Sequence, residues 1–383
     1  VDLQQEIITS ITDQELSYII EDLAVDDAVD MLGEMPSNVV TRVLKNARPE
    51  TRAEINQFLK YPENSAGSVM TAEFTSLHAT MTVKDAIAHI RSYGEDRETI
   101  YSCYVIDKFH KLLGVVTVKD LLLSNDTALV GDLMDTSVIS VTTQEDQEEA
   151  ARLLDKYNFL ALPVVDSENR LVGIITVDDA IDVLQQETTE DMQIMAATAP
   201  SEEPYLKTTV WELAKNRIVW LMVLMISDMV SGGILGTFEG ALTALPILIT
   251  FIPMLTDTGG NAGSQSSTLV IRGLALKEIE VKDFFPVLSK EVRVAILCGF
   301  ALSLFNFVRI VIIYPGKYML ASTVAAAMFC TVLMAKSIGG VLPLIATKLK
   351  MDPALMASPL ITTIVDAGSL LIYLNIAKMC LNL

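Results

Sequence analysis

The sequence has 383 residues, of which 51% are apolar, and a formal net charge of −20, yet its mean hydropathy is positive, at +0.42. Residues 1–200 contain 14 Lys and Arg against 36 Asp and Glu, whereas residues 201–383 contain 14 against 12. An acidic half is therefore joined to a nearly neutral, apolar half. This composition excludes a disordered chain, a collagen and a basic nucleic-acid-binding protein.

The first 60 residues have the spacing of short helices with one apolar side. Apolar residues recur every three or four positions from Ile7 to Leu23, and Pro36 and Pro49 interrupt the pattern. We therefore predict an all-α N-terminal domain over residues 1–63. Residues 1–30 are acidic and contain no long apolar core, so we expect no signal peptide. The scattered cysteines and histidines lack ligand spacing, which argues against a structural zinc site.

An internal repeat occupies residues 66–184. Tyr104–Asp107 corresponds to Pro163–Asp166, and Gly114–Asp120 corresponds to Gly173–Asp179 at the same offset, while copy one is longer around Ser92–Thr99. Each copy is predicted to run strand, helix, strand, strand, helix, and a Thr-x-x-Asp box starts its last helix. We place copy one at residues 64–128, copy two at 129–190 and a linker helix at 191–216.

Residues 217–383 are predicted to form a membrane domain with five transmembrane helices. The apolar runs are residues 218–236, 241–255, 295–313, 318–345 and 354–377. A bilayer requires about 20 residues per helix, which the second run reaches only if the following glycine-rich stretch continues it. Positive residues concentrate between runs two and three and between runs four and five. This pattern places those loops and the acidic half in the cytoplasm, and the C-terminus outside.

The first polar feature within these runs is the stretch Pro253–Gln265, which contains Asp257, Gly259, Gly260 and Asn261. At this depth we expect non-helical or loosened backbone that faces protein or a water-filled path. Carbonyl and amide oxygens there suit hard cations. The alternative is close helix packing through small residues.

The second polar feature is Asp366, in the middle of the fifth run. A carboxylate at this depth usually faces a cavity or a partner. Helical spacing places a polar stripe on one side of the helix, where it should line an aqueous path: Ser358, Thr362, Asp366, Ser369 and Tyr373. The alternative is a buried Asp366 paired with Lys336 or Arg309. Asp228 and Glu239 are secondary candidates.

The repeat resembles the CBS-domain pair in its Gly-x-[Val/Ile]-Thr-x-x-Asp ending and its tandem arrangement. Such pairs usually regulate the protein to which they are attached and often bind adenosine nucleotides. The resemblance implies an ATP site in which Asp120, or Asp179 in copy two, holds the ribose. The residues assigned to this site are Thr117, Lys119, Asp120 and Tyr101, with Tyr104 as another partner for the adenine. Ser102 stands where some members have a tyrosine. The alternative is that both boxes only cap helices.

The order of helical domain, CBS pair, linker helix and five spans resembles the MgtE family of magnesium channels. So do the segments PMLTDTGGNAGSQSSTLVIRGLA in span two and DPALMASPLITTIVDAGSLLIY in span five. The resemblance implies a homodimer in the plasma membrane, with a magnesium pore between spans two and five of the subunits. It implies that Asp366 is the central ion-selecting carboxylate. The other pore residues assigned are Asn261, Gly259, Gly260, Asp257, Thr362 and Ser358. Well-known members have Asn at the position of Ser358.

Acidic clusters in the first half suggest that Mg²⁺ also regulates the protein. Self-repulsion should spread these acids apart, and divalent cations should draw them together. We expect cytosolic Mg²⁺ to bridge acids of the N-terminal domain, copy two and the linker, and so to close the pore, as the family's sensor does. The predicted ligands are Asp26, Asp30, Asp179, Asp182, Glu187, Glu190 and Asp191. Asn158 stands where some members have an acid, which should weaken one position.

Two other transport functions remain open. An ion-coupled carrier of the same fold would move Mg²⁺, Co²⁺ or Mn²⁺ with Na⁺ or H⁺, and a broken span with a midplane Asp suits it too. A CBS-regulated anion channel is disfavoured because a pore carboxylate opposes anions. An enzyme is not expected, because the sequence contains no nucleophile–base pair and no phosphate-binding loop.

Overall fold

The computed structural model describes residues 7–8, 10–23, 25–33, 35–201 and 205–381, apart from a few side chains. Those side chains belong to Asp26, Asp30, Ser37, Asn38, Asp96 and Ser358. The chain divides into two compact units, residues 1–187 and residues 188–383. The first contains the helical N-terminal region and the repeat, and the second contains the long apolar helices.

Short helices form the N-terminal region: α1 (Asp13–Asp22), α2 (Val25–Gly33), α3 (Ser37–Asn46) and α4 (Pro49–Phe58). Helix α1 starts at a capping box, in which Thr12 and Glu15 each accept a hydrogen bond from the other's backbone amide. The apolar faces of the helices, with Leu16 and Ile55, share one core with Ile175 of copy two. The predicted all-α region is present, and packing on copy two stabilises it.

Each copy has the predicted order of strands and helices. Copy one contains β1 (Phe74–His78), α5 (Val83–Tyr93), β2 (Thr99–Ile106), β3 (Leu112–Thr117) and α6 (Val118–Leu123). After α7 (Val130–Leu133), copy two contains β4 (Val141–Thr142), α8 (Gln147–Tyr157), β5 (Ala161–Val165), β6 (Leu171–Thr176) and α9 (Val177–Met195). In each sheet the first strand pairs parallel with the second, and the second pairs antiparallel with the third.

The last strand of each copy packs on the short segment at the start of the other copy. Gly114 of copy one packs on Met134, and Gly173 of copy two packs on Met70. A Cβ atom at either glycine would lie 2.7–2.8 Å from the methionine sulfur. The glycine of each Gly-x-x-Thr motif is therefore required for contact between the copies.

The second unit is built from long helices joined by short turns. Its helices are α10 (Val210–Thr237), α11 (Glu239–Ala244), α12 (Ile252–Ala275), α13 (Phe284–Ile313), α14 (Tyr318–Lys348) and α15 (Ser358–Leu381). Among the described residues, four segments are long and apolar enough to cross a membrane: Val210–Thr237, Val281–Ile313, Tyr318–Lys348 and Pro353–Leu381. Helix α12, the predicted second span, is not one of them because its glycines and polar residues lower its hydropathy. The predicted count of five spans is therefore not confirmed.

Two details of the membrane prediction are wrong. Helix α12 runs without interruption through the glycine-rich stretch, so the backbone is not loosened there. The irregular segment lies before it, in the 3₁₀ turn Pro246–Phe251. Helix α13 begins at Phe284, before the third apolar run, so Lys290 and Arg293, two of the positive residues between runs two and three, lie within the helix rather than in a loop.

Glycines determine how closely α12 approaches α14 and α15. A Cβ atom on Gly260 would lie 2.9 Å from the Thr362 methyl group of α15. A Cβ atom on Gly339 of α14 would overlap the carbonyl oxygen of Gly263. Helix α12 is therefore held between its two neighbours at backbone contact distance, which any larger residue would prevent.

This contact predicts that Gly339→Ala destabilises the membrane unit, because the added methyl group meets backbone that cannot move aside. We expect the Tm of the purified chain in detergent to fall by roughly 5 °C. Gly232→Ala is the matched control, since a Cβ atom there meets no described atom beyond its own helix backbone within 4 Å. An unchanged Tm for Gly339→Ala would contradict the packing described.

Candidate functional site

Helix α12 has two different faces. Gly259, Gly260 and Gly263 are buried, whereas Asp257 and Asn261 are exposed. The burial agrees with the alternative of helix packing, since the glycines bring neighbouring helices close. A carboxylate and an amide exposed on a helix among apolar helices are costly against lipid, so this face requires water or a second protein surface.

Helix α15 presents Asp366 next to α12. Asp366 and Thr362 are both half-buried. The Thr362 hydroxyl donates to the Pro359 carbonyl of its own helix, at 2.9 Å, and its methyl group faces Gly260. The side chain of Ser358 lies outside the described residues. Among the described side chains, the predicted pore residues on α15 are therefore Asp366 and Thr362.

The remainder of the predicted polar stripe is used in packing. Ser369 is fully buried and donates to the Val365 carbonyl at 2.6 Å, and Tyr373 is buried and donates to the Leu248 carbonyl at 3.0 Å. Both hydroxyl groups are therefore satisfied within the chain. The expectation that the whole stripe lines an aqueous path is wrong for these two residues.

Asp366 lies near other acids, and the basic residues Lys336 and Arg309 contact other groups. The Lys336 ammonium approaches oxygens of α12, and Arg309 approaches a methionine sulfur of α12. Within the described residues, neither base pairs with Asp366, which disagrees with the alternative of a buried ion pair. The carboxylates of Asp228 on α10 and Asp257 on α12 are near enough to repel that of Asp366.

The predicted nucleotide residues lie around the start of α6. The Thr117 hydroxyl and the Asp120 carboxylate are 2.5 Å apart and form a capping box, so the helix-capping role is present. Lys119 and Asp120 are nonetheless exposed, and Tyr101 is 67% exposed. Tyr104 is 1% exposed, so the expectation that it could stack on an adenine is wrong.

Acids brought together in the first unit repel one another. Burial raises the pKa of the Asp179 carboxyl group above its usual value, against a hydrogen bond from Thr176, and the charges of Asp178 and Asp27 raise it further. Burial also raises the pKa of Glu98, and these three acids add to the effect. The sequence prediction missed Glu98. Its position at the end of the longer segment of copy one was the available signal.

The other predicted regulatory acids have different surroundings. Asp182 is exposed, whereas Glu187 accepts a hydrogen bond of 2.8 Å from the buried Gln147 amide. Glu190 and Asp191 are half-buried further along α9. The side chains of two predicted ligands lie outside the described residues: Asp26 and Asp30. Among the side chains that are described, no three acids, histidines or cysteines are grouped closely enough to hold a metal ion.

Three family models match the chain. The MgtE intracellular N domain matches residues 1–64, the CBS domain matches residues 66–124 and 130–186, and the MgtE divalent cation transporter matches residues 252–376. The divalent cation transporter model and the long apolar helices define a membrane transport protein rather than an enzyme.

Curated relatives cover most of the chain. It is 39% identical to the magnesium transporter MgtE of Thermus thermophilus over 87% of its length and 74% of that protein. It is 38% identical to MgtE of Bacillus subtilis over 92% of its length and 77% of that protein. The chain therefore belongs to the MgtE family. The solved cytosolic domain of the Mg²⁺ channel MgtE in complex with ATP is 39% identical over 48% of this chain and 75% of that one, with a TM-score of 0.46.

The raised pKa of Asp179 predicts a pH-dependent stability. The folded chain keeps this proton to higher pH than the unfolded chain, so ionisation lowers stability as the pH rises through the raised pKa. Asp179→Asn removes the effect. Without divalent cations, we expect the Tm of the variant minus that of the wild type to increase as the pH rises from about 4, the ordinary value for Asp, to about 7.

Asp182→Asn is the control for this measurement, because Asp182 lies on the same helix and is exposed. Its Tm difference from the wild type should not depend on pH. A constant difference for Asp179→Asn as well would show that the folded state does not perturb this carboxyl group.

Proposed function

We propose that the chain is a magnesium-selective channel of the plasma membrane, whose pore forms between α12 and α15 of two copies. The observation that carries the proposal is the exposed polar face of α12, with Asp257 and Asn261, beside the half-buried Asp366 of α15. In two copies related by a two-fold axis, these polar faces would pack together away from lipid and enclose a polar path. The relatives named magnesium transporters support the choice of ion.

The chemistry of the proposed path suits Mg²⁺. This ion holds its waters tightly and binds through few carboxylates, and carboxylate and carbonyl oxygens without His or Cys disfavour zinc and copper. Two Asp366 carboxylates across the axis would hold a hydrated ion through its waters. Asn261 and Thr362 would contribute further oxygens, while Gly259 and Gly260 would set the spacing of the helices.

In the proposed arrangement α12 is the second of five spans. Residues 1–200 then lie in the cytoplasm and the C-terminus lies outside, as the loop charges predict. The domain boundaries at residues 63, 128, 190 and 216 belong to the same proposal.

Asp366→Asn should abolish Mg²⁺ flux into proteoliposomes, because it removes the charge that attracts the ion, with a loss of about 100-fold or more expected for a central intramembrane carboxylate. Asn375→Ala is the control. Asn375 is exposed on the same helix, and its side-chain amide donates a hydrogen bond to the Leu371 carbonyl of that helix. Flux that survives in Asp366→Asn would contradict the proposed pore.

A divalent-cation carrier coupled to Na⁺ or H⁺ is the second candidate. The acids Asp228, Asp257 and Asp366 on three of the long helices favour it, since intramembrane carboxylates form proton relays in pumps and transporters. The same proteoliposomes separate the two functions. A channel conducts Mg²⁺ without a Na⁺ or pH gradient, whereas a carrier requires one.

We propose that cytosolic Mg²⁺ closes this channel by relieving repulsion among the acids of the first unit. The raised pKa values of Asp179 and Glu98 support this, because both carboxylates are held where negative charge is disfavoured. A divalent cation between such acids would stabilise their ionised forms and hold the unit in one arrangement. The other predicted ligands Glu187, Glu190 and Asp191 lie on the same helix as Asp179.

Neutralising this cluster should leave a channel that cytosolic Mg²⁺ closes less readily. For Asp179→Asn with Glu98→Gln, we expect the Mg²⁺ concentration for half-closure to rise about tenfold, as for the loss of about 1.4 kcal/mol of binding free energy. A variant with Glu187, Glu190 and Asp191 neutralised should behave likewise. Asp126→Asn, an exposed acid elsewhere in copy one, is the control. Closure at the wild-type concentration in both cluster variants would contradict the mechanism.

We also propose that copy one binds ATP beside α6. The exposed Tyr101 could stack on the adenine, Asp120 could accept hydrogen bonds from the ribose, and Lys119 could approach the phosphates. Thr117 would hold Asp120 in place through the capping box.

The two roles of the box are separable by mutation. Tyr101→Ala should weaken ATP binding by about tenfold without changing the Tm, because the ring is exposed and packs on little else. Asp120→Ala should weaken binding and also lower the Tm, because it removes a helix cap. Isothermal titration calorimetry of the purified chain checks the first effect. Unchanged ATP binding in Tyr101→Ala would exclude the proposed adenine position.

A further inference from the structure

A buried cation lies where three helices of the membrane unit meet. Lys336 of α14 is 5% exposed. Its ammonium nitrogen lies 3.5 Å from the carbonyl oxygen of Ala262, 3.5 Å from Gln265 Oε1 and 3.4 Å from Ser266 Oγ, all on α12. A charged group within a membrane domain is stabilised by such oxygens or by an opposite charge.

Ser266 links the Lys336 ammonium to the carboxylate of Glu291, which has the opposite charge. Ser266 is fully buried, and its Oγ lies 2.5 Å from Oε2 of Glu291 on α13. A hydroxyl group donates one hydrogen bond and accepts others. Ser266 therefore accepts from the Lys336 ammonium and donates to the Glu291 carboxylate. The three residues form a hydroxyl-bridged ion pair that spans α14, α12 and α13.

The surrounding glycines fix this network in place. A Cβ atom on Gly339 would overlap the Gly263 carbonyl of α12, and one on Gly340 would lie 2.7 Å from Cγ of Glu291. The helix turn that follows Lys336 therefore allows α12 and α13 to approach it closely. A shift of either helix would separate the charges or collide with backbone.

One turn of α12 connects the network to the proposed ion path. A Cβ atom on Gly263 would lie 3.3 Å from the Ala335 carbonyl and 3.4 Å from a methyl group of Val365. Ala335 and Val365 are the chain neighbours of Lys336 and Asp366. The same turn of α12 therefore contacts the bridged ion pair on one side and the Asp366 helix on the other.

We propose that Lys336 is a positioning residue for cation transport. Through Ser266 and Glu291 it locks α12 against α13 and α14, and so sets where the polar face of α12 stands relative to Asp366. This inference rests on the proposed channel function. It gives the buried lysine a role that does not require contact with the transported ion.

A double-mutant cycle tests the proposal. Lys336→Met keeps the length of the side chain without its charge, and Glu291→Gln removes the opposite charge. Glu291→Gln leaves the buried Lys336 ammonium without its opposite charge, and Lys336→Met leaves the half-buried Glu291 carboxylate without its own, whereas the double variant leaves neither charge. Lys348→Met, the same substitution at the exposed end of the same helix, is the control.

Two readouts are required: the Tm in detergent, and Mg²⁺ flux per folded chain in proteoliposomes. We expect each single variant to lower the Tm and to reduce maximal flux about tenfold, as a displacement of path-lining groups should. The double variant should have a higher Tm and a higher flux than either single variant. Lys348→Met should have the Tm and the flux of the wild type.

Each other outcome overturns a defined part of the inference. Additive changes in Tm would refute the bridged ion pair. A coupled Tm with normal flux per folded chain in Lys336→Met would make the network purely structural and refute the positioning role. A wild type without Mg²⁺ flux would refute the channel and with it the positioning role, while the Tm cycle would still decide separately whether the ion pair exists.

Discussion

The contact of α12 with α14 and α15 is the constraint on which the membrane unit depends. Gly260 and Gly263 leave no room for side chains where α12 meets its neighbours, so one face of the helix is committed to packing. The polar residues of α12 must then lie on the other face, where Asp257 and Asn261 are exposed. Helix α12 is too polar to be an ordinary span, but with its polar residues on one face it can form one wall of the proposed ion path.

Both units contain charged side chains in unfavourable surroundings, but the consequences differ. Lys336 and Glu291 compensate each other through Ser266, so the charges fix the positions of helices. In the first unit, burial and neighbouring acids raise the pKa values of Asp179 and Glu98. A fold that leaves acids in this condition gains stability when a cation binds, which is the physical basis of the proposed closure.

Local patterns were read correctly from the sequence, and contacts between distant segments were not. The repeat and the Thr117–Asp120 box follow from adjacent residues, and four apolar spans follow from hydropathy. Helical spacing alone did not reveal that Ser369 and Tyr373 face α12 and the turn before it rather than water, because burial depends on the neighbouring helix. The bridged ion pair was missed for the same reason: its members come from three helices.

The most direct test of the account is Mg²⁺ flux through covalently linked pairs of chains, in which none, one or both carry Asp366→Asn. If two Asp366 carboxylates form one site on the two-fold axis, a single substitution should remove most of the flux, far more than half. If each chain conducts by itself, the singly substituted pair should retain half of the wild-type flux. That result would contradict a pore shared between two copies.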